Sequence, residues 1–190
     1  MQHGERESVS AGRRLPSDLP LVESLAVTVL GLGLLRPASG SWGSLPPVGL
    51  VILIICSGAP WWVLEVSLAL TVLLGIIACV KFGAAAERAF GAKDPSSVVA
   101  DETAGCALTL LAAPWWMIAN GDDAALLRGA VVAGVGFFFF RLFDVWKPGF
   151  VADLQSKPQG WGIVLDDLAA GAWAWPPVIL SSAVALRYLP

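Results

Sequence analysis

Charge is what this sequence has least of. Only 14% of its 190 residues are Asp, Glu, Lys or Arg, against about 25% in an ordinary soluble domain. Histidine occurs once, as His3, and cysteine three times, as Cys56, Cys79 and Cys106, each within an apolar run. There is no Cys-x-x-Cys pair and no Cys/His cluster, which argues against a zinc site and against a disulfide framework. The cysteines read as small buried hydrophobes. Tyrosine also occurs once, while nine Trp and eight Phe supply aromatic bulk without charge. The net charge of −3 offers nothing to a polyanion, so nucleic acid is not an expected partner.

What is present in excess is apolar surface. Hydrophobic residues make up 56% of the chain, with a mean hydropathy of +0.72. That excludes disorder and exceeds what one small soluble core needs. The expected class is all-α, a polytopic membrane helical bundle forming one domain over residues 21–190. Residues 1–20 carry Arg6, Arg13, Arg14, Glu5, Glu7 and Asp18 and read as a flexible cytoplasmic tail. No basic region leads directly into an apolar core with a small-residue cleavage site, so no cleaved signal peptide is expected.

Apolar runs fall at 21–35, 46–57, 61–80, 104–119, 124–143 and 168–189. A crossing helix takes about 20 residues, so the run at 46–57 must borrow flanking residues or thin the bilayer. Trp61–Trp62 and Trp115–Trp116 read as interfacial anchors. Lys and Arg sort the connections: Arg36, Lys81, Arg88, Lys93, Arg141, Lys147 and Lys157 lie in 36–45, 81–103 and 141–167. The opposite turns hold Gly58, Ala59 and Pro60, and Asn120 to Asp123. Basic loops stay cytoplasmic. If the tail and the 36–45 loop share that side, the run at 21–35 does not cross and is a re-entrant or interfacial segment. About five crossings remain.

Beside those basic loops lies a set of carboxylates written into apolar sequence. Asp94, Asp101 and Glu102 precede the run at 104–119, Asp144 ends the run after Phe137–Phe140, and Asp166 and Asp167 open the last one. A charge at the centre of a span costs about 2.5–3.5 kcal/mol, less near its ends, and such a cost usually marks a site. Carboxylates at one membrane face suit a hard divalent cation such as Mg²⁺, which takes oxygen ligands together with substrate phosphate. Arg141, Lys147 and Lys157 are candidate phosphate binders. The glycines and serines of 36–45, Gly40, Ser41, Gly43 and Ser44, form a turn whose backbone N–H groups can face an anion. The competing reading makes Asp101–Glu102 and Asp166–Asp167 helix caps. Asp122 and Asp123, on the other side, read as a cap or solvated turn.

These residues resemble the phosphatidylglycerophosphatase A family. The stretch Gly31-Leu32-Gly33-Leu34-Leu35 leading to Gly40-Ser41-Trp42-Gly43-Ser44 is similar to the family's PGTWGS-like loop, with Ser39-Gly40-Ser41 in place of PGT. Asp94, Val98, Asp101, Glu102 and Gly105 are similar to its D-x(3)-V-x-D-E-x-x-G stretch. Arg141 to Pro148 and Gly160 to Gly171 match FRxxDxxKP and GxGIxxDDxxAG. The resemblance implies a bacterial Mg²⁺-dependent membrane enzyme at the cytoplasmic face of the inner membrane. Its reaction would convert phosphatidylglycerophosphate to phosphatidylglycerol and inorganic phosphate. It implies catalytic and metal roles for Asp101, Glu102, Asp144, Asp166 and Asp167, with Asp94 behind them. Substrate phosphate would fall to Arg141, Lys147, Lys157 and the Gly40–Ser44 turn.

The residue types narrow the mechanism. His3 lies in the tail, which excludes a phosphohistidine enzyme, and the positions six after each cysteine are Trp62, Ala85 and Ala112, not Arg. Metal-assisted attack by water is what remains. The alternative from another class is a small transporter or channel with the carboxylates as a cation path. Clustering at one face rather than mid-span counts against it.

Overall fold

The computed structural model of the chain describes residues 14–147 and 161–189, and every regular element among them is helical. In order these are α1 (Leu21–Val27), a 3-10 turn (Leu32–Leu34), α2 (Ser39–Cys56), α3 (Trp61–Phe90), α4 (Ala100–Leu110), α5 (Trp115–Ile118), α6 (Ala125–Trp146), α7 (Trp161–Trp173) and α8 (Trp175–Tyr188). Four segments are long and apolar enough to cross a membrane: α2, α3, α6, and α7 with α8 as Trp161–Tyr188. They still present Leu53, Leu74, Phe138 and Leu180 outward, as helices facing hydrocarbon do.

The run at 104–119 is not a fifth such helix. Pro114 disfavours helical backbone at the residue before it, and α4 ends at Leu110 after 11 residues, about 16 Å. Trp115, expected at an interface, is instead fully buried, with its indole N–H donating to Leu110 O at 2.8 Å. Trp116 is exposed. Cys79 and Cys106 are buried as expected, but Cys56 is exposed at the end of α2.

The N-terminal run breaks as well. Helix α1 has seven residues, too short to cross, and Val29 and Leu30 then adopt positive φ before Gly31 at φ 90°. The stretch expected as a loop at 36–45 is helical from Ser39, so α2 does borrow its polar flank. Pro46 and Pro47 lie inside α2. Proline donates no hydrogen bond to the carbonyl four residues back, which frees Gly43 O. Thr103 of α4 takes it, at 2.5 Å.

Helix α3 has 30 residues, about 45 Å, well beyond a ~30 Å hydrocarbon layer. Its last turns, with Lys81 and Arg88, therefore extend past the apolar zone to Gly91, whose φ of 70° ends the helix. Helix α4 is the axis, buried on nearly every side. Small residues let its neighbours approach: a Cβ on Gly75 would lie 2.6 Å from Ala100 O, and one on Gly171 would lie 2.5 Å from Gly105 O. One core cluster, with Val51, Leu68, Leu110, Trp115 and Val132, fills the end away from the carboxylates. There Asp122 receives Ala124 N–H and the guanidinium of buried Arg128, so its turn is tied to α6. A second cluster, with Val27, Cys79, Val98 and Val164, lies under the carboxylate end.

Candidate active site

Helices α4 and α7 run side by side from the same end of the bundle, since Thr109 donates to Gly171 O and Trp175 to Leu108 O. Asp101 and Glu102 occupy the first turn of α4. Asp166 and Asp167 lie on the second turn of α7 rather than at its opening, because the helix begins at Trp161. No side-chain cap hydrogen bond is made at the N-cap of α4, Val99. Asp101, Glu102 and Asp167 each bring a carboxylate oxygen within 4.8 Å of the others.

Two cations edge this triad. Arg141 and Asp144, one turn apart near the end of α6, approach to 2.5 Å between Nη1 and Oδ2, though at an angle that makes no hydrogen bond. Lys147, which ends α6 in left-handed backbone, donates to Asp166 Oδ2 at 2.5 Å. Asp101, Asp166 and Asp167 retain only 6%, 3% and 4% of their exposure. Yet Asp101 Oδ1, Glu102 Oε2, Asp166 Oδ1 and Asp167 Oδ2 are buried without a hydrogen-bond partner. Buried carboxylates are ordinarily paired or bound to metal. Five carboxylates against Arg141 and Lys147 leave a surplus of negative charge, so the donor set fits a hard divalent cation held by oxygen.

The electrostatics follow from that crowding. Burial first, then the charges of Asp167 and Asp144, push Glu102 up to about 8, against the hydrogen bond from Asp101 and the charge of Arg141. Burial and the adjacent Glu102 push Asp101 the same way. Burial works against the charge on Lys147, but its hydrogen bond to Asp166 and the negative charges of Asp166, Asp167 and Asp144 hold it above the usual lysine value.

The glycine- and serine-rich turn contributes unevenly. A Cβ on Gly40 would lie 2.6 Å from Glu102 Oε1 and 2.9 Å from both Nη1 and Nη2 of Arg141, so this backbone borders the site directly. Gly43 faces Val99, at 2.5 Å for the same construction. The hydroxyl of Ser44 donates to Gly40 O at 2.7 Å and is committed inside α2. Ser41 is half-buried on the first turn. Asp94 sits exposed in the loop before α4, at φ 50°, and its charge reaches Asp101. Lys157 lies outside the described residues. Sequence reasoning used Arg36 only to assign sidedness. In the structure it donates to Ser39 Oγ at 3.1 Å and Ser96 Oγ at 2.9 Å, tying the start of α2 to the loop before α4. Thr103 carried no sequence signal at all, since its partner Gly43 O is freed only by Pro47.

A family model described as phosphatidylglycerophosphatase A matches residues 25–182. Among curated proteins, the phosphatidylglycerophosphatase A of Haemophilus influenzae is 34% identical over 150 residues, 76% of this chain and 78% of its own length. That of Escherichia coli is 28% identical over 165 residues, 80% of this chain and 84% of its own length. No solved structure matches the chain.

Proposed function

We propose, because the chain belongs to the phosphatidylglycerophosphatase A family, that it hydrolyses the terminal phosphate monoester of phosphatidylglycerophosphate, releasing phosphatidylglycerol and inorganic phosphate. The observation that carries this reading is the set of buried, partnerless carboxylate oxygens on Asp101, Glu102, Asp166 and Asp167, beside the cations of Arg141 and Lys147.

Asp101, Glu102 and Asp167 would hold Mg²⁺, with Asp144 and Asp166 beside them. The bound ion supplies Lewis acidity toward a phosphoryl oxygen and lowers the pKa of water. The chain's own groups do the rest. A carboxylate of the cluster accepts the proton of the attacking water. Arg141 offers a planar fork to the non-bridging phosphate oxygens, and the missing side chain at Gly40 leaves them room beside it. Lys147 holds Asp166 in place and sets positive charge against the negative charge that develops on the leaving alkoxide. Ser41 and Lys157 are further candidates for phosphate, whereas Ser44 and Gly43 serve helix packing. The site end carries Arg36, Lys81, Arg88, Lys93, Arg141 and Lys147, which supports a cytoplasmic active site in the inner membrane.

The test is phosphate release from phosphatidylglycerophosphate in mixed micelles by purified protein, with Mg²⁺ and with chelator. Release is expected only with metal, and Asp101→Asn and Asp167→Asn should abolish it while the protein still elutes as a folded species. Metal-independent release, or near-normal turnover in either variant, would overturn the assignment.

A further inference from the structure

An apolar groove of about 660 Å³ lies between α2 and α3, bordered by α1. Leu30, Leu53 and Leu74 stand at its rim with 81%, 68% and 63% of their surface exposed, so it opens outward from the bundle. Its walls belong to two membrane-spanning segments. Its floor is formed by Ala100 and Thr103 of α4. These two residues bracket Asp101 and Glu102 in one helical turn, so groove and carboxylates are two sides of the same piece of backbone.

The lining decides what can occupy it. No charged side chain borders the groove, and its hydroxyls come from Thr71 and Thr103. Both are committed to backbone carbonyls, Thr71 to Ser67 O at 2.8 Å and Thr103 to Gly43 O at 2.5 Å. A polar ligand would meet no free side-chain donor there. Hydrocarbon loses nothing by entering and gains contact with leucine and isoleucine. The volume lies within the range of small-molecule sites, about 300–1,000 Å³.

We infer that this groove is the acyl-chain subsite: one fatty-acyl chain of the phospholipid substrate lies between α2 and α3 while its headgroup phosphate reaches the carboxylates across the first turn of α4. This deepens the phosphomonoesterase reading above and rests on it for the identity of the lipid. It also gives a reason for Gly49, which lines the groove at mid-helix where glycine is otherwise unfavourable. A Cβ there meets nothing within 4 Å, so a larger side chain projects into the groove and not into the protein.

Gly49→Leu is therefore the test, with Gly49→Ala as the control for helix propensity. Phosphate release is measured on dipalmitoyl phosphatidylglycerophosphate and on its water-soluble dihexanoyl counterpart. Displacing a few methylenes predicts a KM for the dipalmitoyl lipid raised roughly tenfold in Gly49→Leu, with kcat/KM on the dihexanoyl lipid unchanged and Gly49→Ala like wild type. Equal loss on both lipids, or no loss on either, overturns the assignment. A dipalmitoyl analogue carrying a mid-chain diazirine supplies a readout independent of turnover. It should label Leu50 and Ala78, which line the groove away from its rim, in the wild type and label them less in Gly49→Leu, and labelling confined to other faces overturns the subsite. If wild-type protein releases phosphate from neither lipid, the phosphomonoesterase reading fails by itself, and the labelling pattern still decides the groove.

Discussion

Adding one methyl group at Gly40 separates the chemistry of this site from its scaffolding. In Gly40→Ala the new Cβ would sit 2.6 Å from Glu102 Oε1 and 2.9 Å from two nitrogens of Arg141, whereas ordinary contact begins at 3.4 Å. Glu102 must therefore give by about 0.8 Å, and Arg141 by about 0.5 Å, both at the ends of flexible side chains. Misplacement of a reacting group by about 1 Å costs on the order of 100-fold in rate, so kcat should fall by roughly that factor. Stability should not fall, because alanine is a better helix former than glycine by up to about 1 kcal/mol. Gly43→Ala, one turn along α2, gives the opposite pattern. Its Cβ would meet Val99 Cβ at 2.5 Å and Val99 O at 3.1 Å. A β-branched side chain and its own backbone cannot swing aside, so overpacking should cost about 1–3 kcal/mol while turnover per folded molecule changes far less. Steady-state phosphate release and thermal unfolding in the same detergent read both effects. Unchanged kcat in Gly40→Ala, or a lowered Tm with normal kcat, would refute the placement of Gly40 against Glu102 and Arg141.

Two further outcomes rest on charge. Lys147→Met leaves Asp166 buried without its ammonium partner and should cost about 3 kcal/mol. Asp166→Asn in the same chain should restore most of the Tm without restoring turnover, and strictly additive losses would show that the two groups are not coupled. In metal-free protein Glu102 is pushed up to about 8 from an ordinary 4.5, so across that window the native state binds more protons than the unfolded chain. Metal-free stability should therefore fall as pH rises through the window. Mg²⁺ must displace the proton, so its apparent affinity should rise with pH and level off above about 8. Unfolding curves across pH with and without Mg²⁺ check both signs, and a Mg²⁺ affinity independent of pH would exclude Glu102 as a ligand.

The candidate site residues were legible because they conflict with their surroundings. A carboxylate inside Val98-Val99-Ala100-Asp101-Glu102 or Ile163-Val164-Leu165-Asp166-Asp167 stands out in a chain this apolar, and basic loops mark which end of each run shares a membrane face. What the sequence conceals is which side of a helix each residue shows its neighbours. Gly40 and Gly43 look alike in the chain, yet one borders Arg141 and Glu102 while the other presses on Val99. That difference arises only when α2 and α4 cross. Trp115 and Trp116 look like one interfacial pair, but α5 turns the first inward to Leu110 O and the second outward. Pro114 did carry the signal that broke the run at 104–119.

The prolines of α2 carry the same logic further. By withholding an N–H, Pro47 leaves Gly43 O unsatisfied in a helix that crosses an apolar layer, where such a group costs several kcal/mol. Thr103 answers it from α4, at the turn that carries Asp101 and Glu102. The break in one helix therefore anchors the carboxylate-bearing turn of another. It also commits the Thr103 hydroxyl to backbone, which leaves the groove on its other side without a donor. One intrahelical hydrogen bond, given up at Pro47, thus ties α2 to the turn of α4 that carries Asp101 and Glu102 and leaves the groove's Thr103 hydroxyl without a free proton.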